Sequence, residues 1–380
     1  MVLPALVLLA LTVFAAALLA SPHGGRAAVL HLVFALGAMP LIFGAMTHFI
    51  PVLTRSRGAP PRLAAIPLAA IAAGALVVGS LVDPRFAGAR HAAAGLGLMA
   101  TTALFVWSRG RRRSMLGQAH PGLAWYDAAL VCLTLALAAI LAGAIWPQQW
   151  GALRRLHVHL NTIGFVGMTA LGTLAVLLPT ASGKPDPEAG PWLRADLPLA
   201  LGGTLLTAIG AAWAEPIAWL GALLWGAVLL HVGRRWARRY RADILSLHGA
   251  APLLGAAWAG LTLSLGFGVA DAVPALAAFD AQPLFAFVAG FLLPLVSGAA
   301  SQLLPVWLRP GQQGPWHADL RRRLGRYGGA RAGLFLVGGI AAGVGLAWGL
   351  VLAAAVLILF LLQVVLALAH GTSIRKRRPS

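Results

Sequence analysis

Apolar runs of about 18 residues or more recur along the whole chain, and each is long enough to cross a bilayer as a helix. The sequence has 380 residues, of which 59% are hydrophobic and only 10% are charged. Soluble domains carry about 25% charged residues, which cover their surface. The sequence therefore predicts an all-α polytopic membrane protein.

We predict about twelve transmembrane helices in a single membrane domain, residues 1–380. Their approximate bounds are 2–20, 27–53, 63–82, 91–108, 123–145, 156–178, 195–213, 217–233, 248–270, 284–304, 331–349 and 350–369. A signal peptide is the alternative for the first run, but that run lacks a positive first region and a small-residue cleavage site. We therefore interpret it as the first helix.

Basic residues fall almost entirely on one side of the predicted membrane. All but five of the 29 Lys and Arg lie in the C-terminal tail or in loops that follow even-numbered helices. The five exceptions are Arg26, Arg85, Arg90, Arg154 and Arg155. Because positively charged loops stay in the cytoplasm, both termini are predicted to be cytoplasmic, in the inner membrane of a bacterium. The net charge of +19 would suggest a nucleic-acid partner in a soluble protein. Because the charge lies in short loops, we attribute it to the orientation of the helices, and no nucleic-acid partner is expected.

The ends of helices 2, 6 and 10 share a pattern. They read "GAMTHFIP", "GTLAVLLP" and "GAASQLLP", which is a glycine, six residues and a proline, with the prolines 128 and 126 residues apart. Close packing at glycine and helix ends at proline would explain the residue types but not the period. We therefore predict three pseudo-equivalent four-helix repeats at about 1–122, 123–247 and 248–380.

Histidines occupy matching positions in two of the repeats. Twenty residues before the three prolines lie His31, His159 and Phe285. His157 precedes His159 by two residues, about 200° around a helix, so the two side chains point to opposite sides and can serve two sites. Imidazole ligates heme iron and copper, although a histidine at the membrane surface can also simply bond to backbone or water.

These stretches resemble a known superfamily. "HVHLNTIGFVGMTALGTLAVLLP" is similar to the His-x-His helix of the heme–copper oxidase catalytic subunit, especially the C-type oxidases and nitric oxide reductases, and to the NnrS family. "HLVFALGAMPLIFGAMTHFIPVL" resembles the histidine-bearing second helix of that superfamily. The resemblance implies that His31 and His159 bind one heme b and that His157 serves a second heme or a copper. Arg154 and Arg155 would pair with heme propionates.

The sequence departs from the superfamily in ways that limit its expected chemistry. The His-x-His pair lies on helix 6 rather than helix 10, and no adjacent His-His pair is present as a copper ligand. Acidic residues fall at loops or helix ends, which predicts no buried carboxylate relay. Full oxygen reduction is therefore not expected, and the chain is at most a candidate oxidoreductase. His91, at the outer end of helix 4, is a further candidate metal ligand, whereas His23 lies in a loop.

The function that we predict is heme binding, with copper as an additional cofactor, for electron transfer or for handling nitric oxide or another diatomic gas near the outer face. The expected partners are the lipid bilayer and either a redox protein or a quinol. A cofactor-free transporter built on repeats is one alternative, although transporters place their polar site near the membrane midplane. The other alternative is a non-catalytic assembly or partner subunit.

Overall fold

The chain folds into long helices. The computed structural model describes residues 2–273, 275–276 and 280–376, the last seven by their backbone alone. Every regular element within these ranges is helical. Eleven helices there are long and apolar enough to cross a membrane. The predicted class, an all-α polytopic membrane protein, is confirmed.

Twelve long helices are numbered here in chain order. They are α1 Val2–Ala20, α2 Arg26–Leu53, α3 Pro61–Val82, α4 Ala89–Ser114, α5 Gly122–Ile145, α6 Pro147–Ala181, α7 Ala189–Trp213, α8 Glu215–Arg239, α9 Ala251–Ala272, α10 Pro283–Leu308, α11 Gly328–Gly343 and α12 Trp348–Lys376. A short helix, Pro315–Leu324, joins α10 to α11. With 16 residues, α11 is the predicted span that is too short to count among the eleven.

Several predicted boundaries differ from the structure by six residues or more, and two of them have a local physical reason. The eleventh span was expected to reach residue 349, but α11 ends at Gly343 because Gly345 turns the chain with a φ of 79°. The segment before the sixth span was expected to be a loop, yet α6 begins at Pro147. Proline suits the first turn of a helix, where its missing N–H costs nothing. As a result Arg154 and Arg155 lie on a helix.

Of the three helices that contain the glycine–proline pattern, α6 and α10 lie mostly inside the bundle and α2 is half buried. In α6 and α10, 83% and 78% of the apolar window is buried, against 50% or less in every other span. Neighbouring groups join through the pairs α4–α5, α8–α9 and α12–α1. The inner helices each contact the first helix of the next group, in the pairs α2–α5, α6–α9 and α10–α1. The described helices therefore form a closed ring around α2, α6 and α10.

Each of these three inner helices contains a π-helical segment. The segments are Leu32–Ala38, Leu160–Gly167 and Phe287–Leu292. They begin 19, 19 and 18 residues before the three prolines of the sequence pattern. A π turn is closed by a hydrogen bond between residues i and i+5, one residue further apart than in an α-helix. Such turns are frequent at functional sites. Their matched placement favours the threefold repeat, which stays a prediction.

Glycines bring the inner helices into backbone contact with their neighbours. A Cβ on Gly260 of α9 would lie 1.8 Å from the carbonyl oxygen of Gly290 on α10. A Cβ on Gly339 of α11 would lie 2.6 Å from the Gly290 Cα atom. On α6, a Cβ on Gly164 would lie 2.8 Å from the Cβ of Cys132. Small residues allow this close packing. Within lipid, the hydrophobic effect does not bring helices together, so van der Waals contacts of this kind stabilise their association.

Candidate metal centre

Two histidines from different helices meet at one end of the bundle. The rings of His31 on α2 and His157 on α6 have centroids 6.3 Å apart and planes 11° from parallel. The rings are stacked, and a metal held by both would lie about 2 Å from one nitrogen of each. We call this end, which contains both rings, the histidine end, and the opposite one the arginine-rich end.

The backbone holds each ring in one orientation. His31 Nδ1 lies 2.7 Å from the carbonyl oxygen of Ala27, and His157 Nδ1 lies 2.9 Å from that of Ala136 on α5. A carbonyl oxygen only accepts hydrogen bonds, so Nδ1 is the protonated nitrogen in both rings. Each Nε2 then carries a lone pair, which is the form of histidine that ligates metals.

Asn161 supports the same assignment at His157. Its Nδ2 lies one turn further along α6, 3.3 Å from His157 Nε2. An amide NH₂ group donates, so Nε2 accepts and is unprotonated. Both ring nitrogens of His157 therefore have a hydrogen-bond partner, Nδ1 as the donor and Nε2 as the acceptor.

The histidine pair differs from the predicted one. His31 was expected to face His159, but within the described residues the ring contact joins His31 to His157. His159 Nδ1 bonds to the carbonyl of Arg155 on its own helix, 2.8 Å away. The physical reason is the 200° step between the two positions, which lets only one of them point at α2. The structure turns the His157 side of α6 toward α2.

At the third equivalent position, an aromatic side chain stands in place of a histidine. Phe285 on α10 lies beneath the guanidinium of Arg26, 5.4 Å from ring centroid to Cζ. One turn or so deeper, Phe34 on α2 and Phe287 on α10 have ring centroids 5.8 Å apart. The ends of α2, α6 and α10 thus converge, with imidazoles on two helices and phenyl rings on the third.

The two predicted propionate-binding arginines have different surroundings. Arg155 Nε donates to Ala211 O at 2.6 Å and its Nη2 to Ala212 O at 3.3 Å, which satisfies the last carbonyls of α7. Arg154 is exposed and has no side-chain partner among the contacts described. Sequence reasoning missed Arg26, although it precedes His31 by five residues, just as Arg154 precedes His159.

Other predicted ligands do not join the pair. His91 is half-buried in the first turn of α4, and His23 is exposed between α1 and α2. Within the described part of the chain, no group of three or more His, Cys, Asp or Glu side chains could hold a metal ion. Among the described residues, the histidine end thus has two neighbouring imidazoles and no third ligand of these types beside them.

Two carboxylates near helix ends are buried, whereas the predicted absence of a carboxylate relay stays a prediction. Asp127, on α5, accepts a hydrogen bond of 2.7 Å from Ser108 and lies 3.6 Å from Arg109. Asp196, on α7, lies 3.1 Å from Nδ1 of His231. Both aspartates are under 10% exposed and lie toward the arginine-rich end, far from His31 along the helices. An aspartate inside an apolar run was the signal that could have identified them.

The helices and their burial define the class of the protein, an all-α polytopic membrane protein. No protein-family model matches the sequence, and no curated protein matches it significantly. The resemblance to the heme–copper oxidase superfamily therefore rests on the helix plan and, for specific residues, on α2 and α6.

Proposed function

We propose that the protein binds a b-type heme between α2 and α6, with His31 and His157 as its two axial ligands. The observation that carries this proposal is the pair of near-parallel imidazoles from two helices, each fixed through Nδ1 by a backbone carbonyl. The proposed role of the protein is electron transfer, or the handling of nitric oxide or another diatomic gas, near the histidine end.

The donor set favours heme over a protein-held copper ion at this pair. A macrocycle supplies four nitrogen ligands itself and needs only two from the protein. Copper(II) bound by protein alone takes more donors than two, and the described residues offer no third His, Cys, Asp or Glu close enough. His159, on the other side of α6, is the candidate ligand for a second heme or for copper.

The residues around the pair have definable tasks. A bound heme supplies one-electron redox chemistry at the iron. The carbonyls of Ala27 and Ala136 keep the Nδ1 protons in place, so that both Nε2 atoms are unprotonated. The Asn161 amide, 3.3 Å from His157 Nε2, must turn away when that nitrogen binds a metal. Arg26 and Arg154 provide positive charge at the histidine end, where they can pair with carboxylates.

The orientation follows from charge. We place the arginine-rich end and both termini in the cytoplasm and the histidine end outside, in the inner membrane of a bacterium. We also propose that the chain is built from three four-helix repeats. The matched π-helical segments and the matched contacts α2–α5, α6–α9 and α10–α1 support this arrangement. The redox partner is another protein or a quinol.

The proposal is tested by the visible spectrum of the detergent-purified protein from heme-replete cells. We expect a Soret band, and a reduced spectrum typical of low-spin heme b by pyridine hemochrome. His31→Ala and His157→Ala should each abolish the low-spin signal, whereas His159→Ala and the control His91→Ala should retain it. Copper analysis of the same samples tests the second site.

Two outcomes would contradict the proposal in different ways. If heme is present and His31→Ala leaves the spectrum unchanged, the ligand pair is wrong. If neither heme nor copper is present, the function is wrong, and the cofactor-free transporter and the assembly subunit become the candidates.

A further inference from the structure

A short amphipathic helix lies at the arginine-rich end of the bundle. This helix, Pro315–Leu324, connects α10 to α11 and packs against α10 and α12. Its buried side chains recur every three or four residues, at His317, Leu320 and Leu324. This spacing places them on one face of the helix, while Arg322 and Arg323 are exposed. The helix therefore packs its apolar face on the bundle and presents arginines to its surroundings.

Hydrogen bonds fix both ends of this helix to the bundle. At its beginning, His317 Nε2 donates to the carbonyl of Arg309, directly after α10, at 2.9 Å. At its end, the carbonyl of Leu324 accepts from Ser301 on α10 at 3.1 Å and from Arg331 on α11 at 2.6 Å. The backbone that presents the arginines is therefore held in place by two long helices.

The chain around this helix is strongly basic. Residues 309–331, which we call the basic segment, contain six arginines and a single acidic residue, Asp319. Among the described residues, Asp319 pairs with Arg322 and Arg323, and no carboxylate pairs with the other four arginines. With its histidine neutral, the basic segment has a net charge of +5. An acidic partner would therefore meet charge that the protein has not neutralised itself.

The basic segment lies at the level of the membrane surface. It joins the ends of α10 and α11, and its helix also contacts α12, one of the outer helices. The Arg309 guanidinium lies 4.0 Å from the ring centroid of Trp316, and that of Arg326 lies 5.0 Å from the ring centroid of Tyr327. Tryptophan and tyrosine are enriched where headgroups meet the hydrocarbon. Lipid headgroups are therefore the acidic groups nearest to these arginines.

We propose that the basic segment binds the headgroup of an anionic phospholipid. Arginine donates paired hydrogen bonds to phosphate oxygens, and neighbouring arginines add their attraction for a headgroup with net negative charge. Arg322, Arg323 and Arg326 are exposed and donate these bonds. Arg331 is only 8% exposed and contributes its charge. This binding does not depend on a heme at the histidine end.

The test measures lipid binding to the full-length protein by native mass spectrometry after purification in a neutral detergent. The two lipids are phosphatidylglycerol, which is anionic, and phosphatidylcholine with the same acyl chains. We expect phosphatidylglycerol to bind more tightly. The double variant Arg322→Gln/Arg326→Gln should weaken its binding about tenfold and leave phosphatidylcholine binding unchanged.

A matched control separates this surface from the general charge of the arginine-rich end. Arg57→Gln/Arg113→Gln removes two exposed arginines at the same end, which have no side-chain partner among the contacts described. It changes the net charge by the same amount and should leave phosphatidylglycerol binding within about twofold of the unmodified protein. Gel filtration and circular dichroism establish that each variant is folded.

Three results would overturn the proposal. Equal affinity of the unmodified protein for the two lipids would show that the headgroup charge is not recognised. An equal loss in both double variants would show that the arginines act only through the net charge. If Arg322→Gln/Arg326→Gln loses binding to heparin, a soluble polyanion, but retains phosphatidylglycerol, the surface fits a soluble acidic partner instead.

Discussion

Single residues at the histidine end have separate tasks although they are close in sequence. Within six residues of α6, Arg155 caps α7, His157 meets α2, and His159 bonds back to its own helix. The helix periodicity of 3.6 residues distributes these side chains around the axis. A change at one of them should therefore affect one neighbour and spare the others.

Arg155→Ala should lower stability without affecting a heme at His31 and His157. The substitution removes two hydrogen bonds to the last carbonyls of α7, for which we expect a loss of about 1 kcal/mol because the guanidinium is exposed. The measurement is the apparent melting temperature in detergent, together with the visible spectrum. Arg154→Ala is the matched control, since that neighbouring arginine is exposed and should leave the melting temperature unchanged. An equal effect of both substitutions would argue against the capping role.

At the scale of the helices, the π-helical segments and the glycines determine how α2, α6 and α10 pack. Each π segment in α2 and α6 begins directly after a histidine, at Leu32 and Leu160. The wider turn changes the direction of every later side chain relative to that histidine. The residues after each π segment can therefore face a different neighbouring helix from the histidine before it.

Gly260→Ala should destabilise the contact between α9 and α10. The added Cβ would lie 1.8 Å from a backbone oxygen of Gly290, which can move only if a helix moves. Overpacking of this kind costs about 1–3 kcal/mol, and we expect a lower melting temperature. Gly266→Ala, on the same helix, is the control because nothing lies within 4 Å of its Cβ position. Equal melting temperatures for the two variants would show that the backbones are not in contact.

At the scale of the whole molecule, the closed ring of helices gives the two ends different chemistry. The histidine end has imidazoles and few positive charges, whereas most of the basic residues lie at the arginine-rich end. Two buried aspartates, Asp127 and Asp196, also lie toward that end and pair with Ser108, Arg109 and His231. This asymmetry is the physical basis for the proposed orientation in the membrane.

Cysteine labelling tests the orientation. Cys132, the single native cysteine, is buried and should not react with an impermeant maleimide. We expect Gln148→Cys, at the exposed histidine end of α6, to be labelled in intact spheroplasts. Ser114→Cys, exposed at the arginine-rich end of α4, should be labelled only after the membrane is opened. The reverse pattern would place the histidine end in the cytoplasm.

The sequence by itself determined the class of the protein and the approximate position of its helices. Hydrophobic runs and loop charges are local properties, so they can be read without knowing what each helix touches. The bounds failed where a local turn decided them, at Gly345, and where a helix continued beyond its apolar part, before Arg154. The sequence also identified His31 and His157, whose rings meet, as candidate ligands at one end of the bundle.

Only the tertiary structure decided which histidines meet. The rotation of α6 about its axis selects His157 rather than His159 as the neighbour of His31, and packing against α5 and α7 through residues such as Gly164 sets that rotation. The hydrogen bond and ion pairs of the buried aspartates likewise depend on contacts between distant segments. Such relations arise from the packing of whole helices, and no short stretch of sequence contains them.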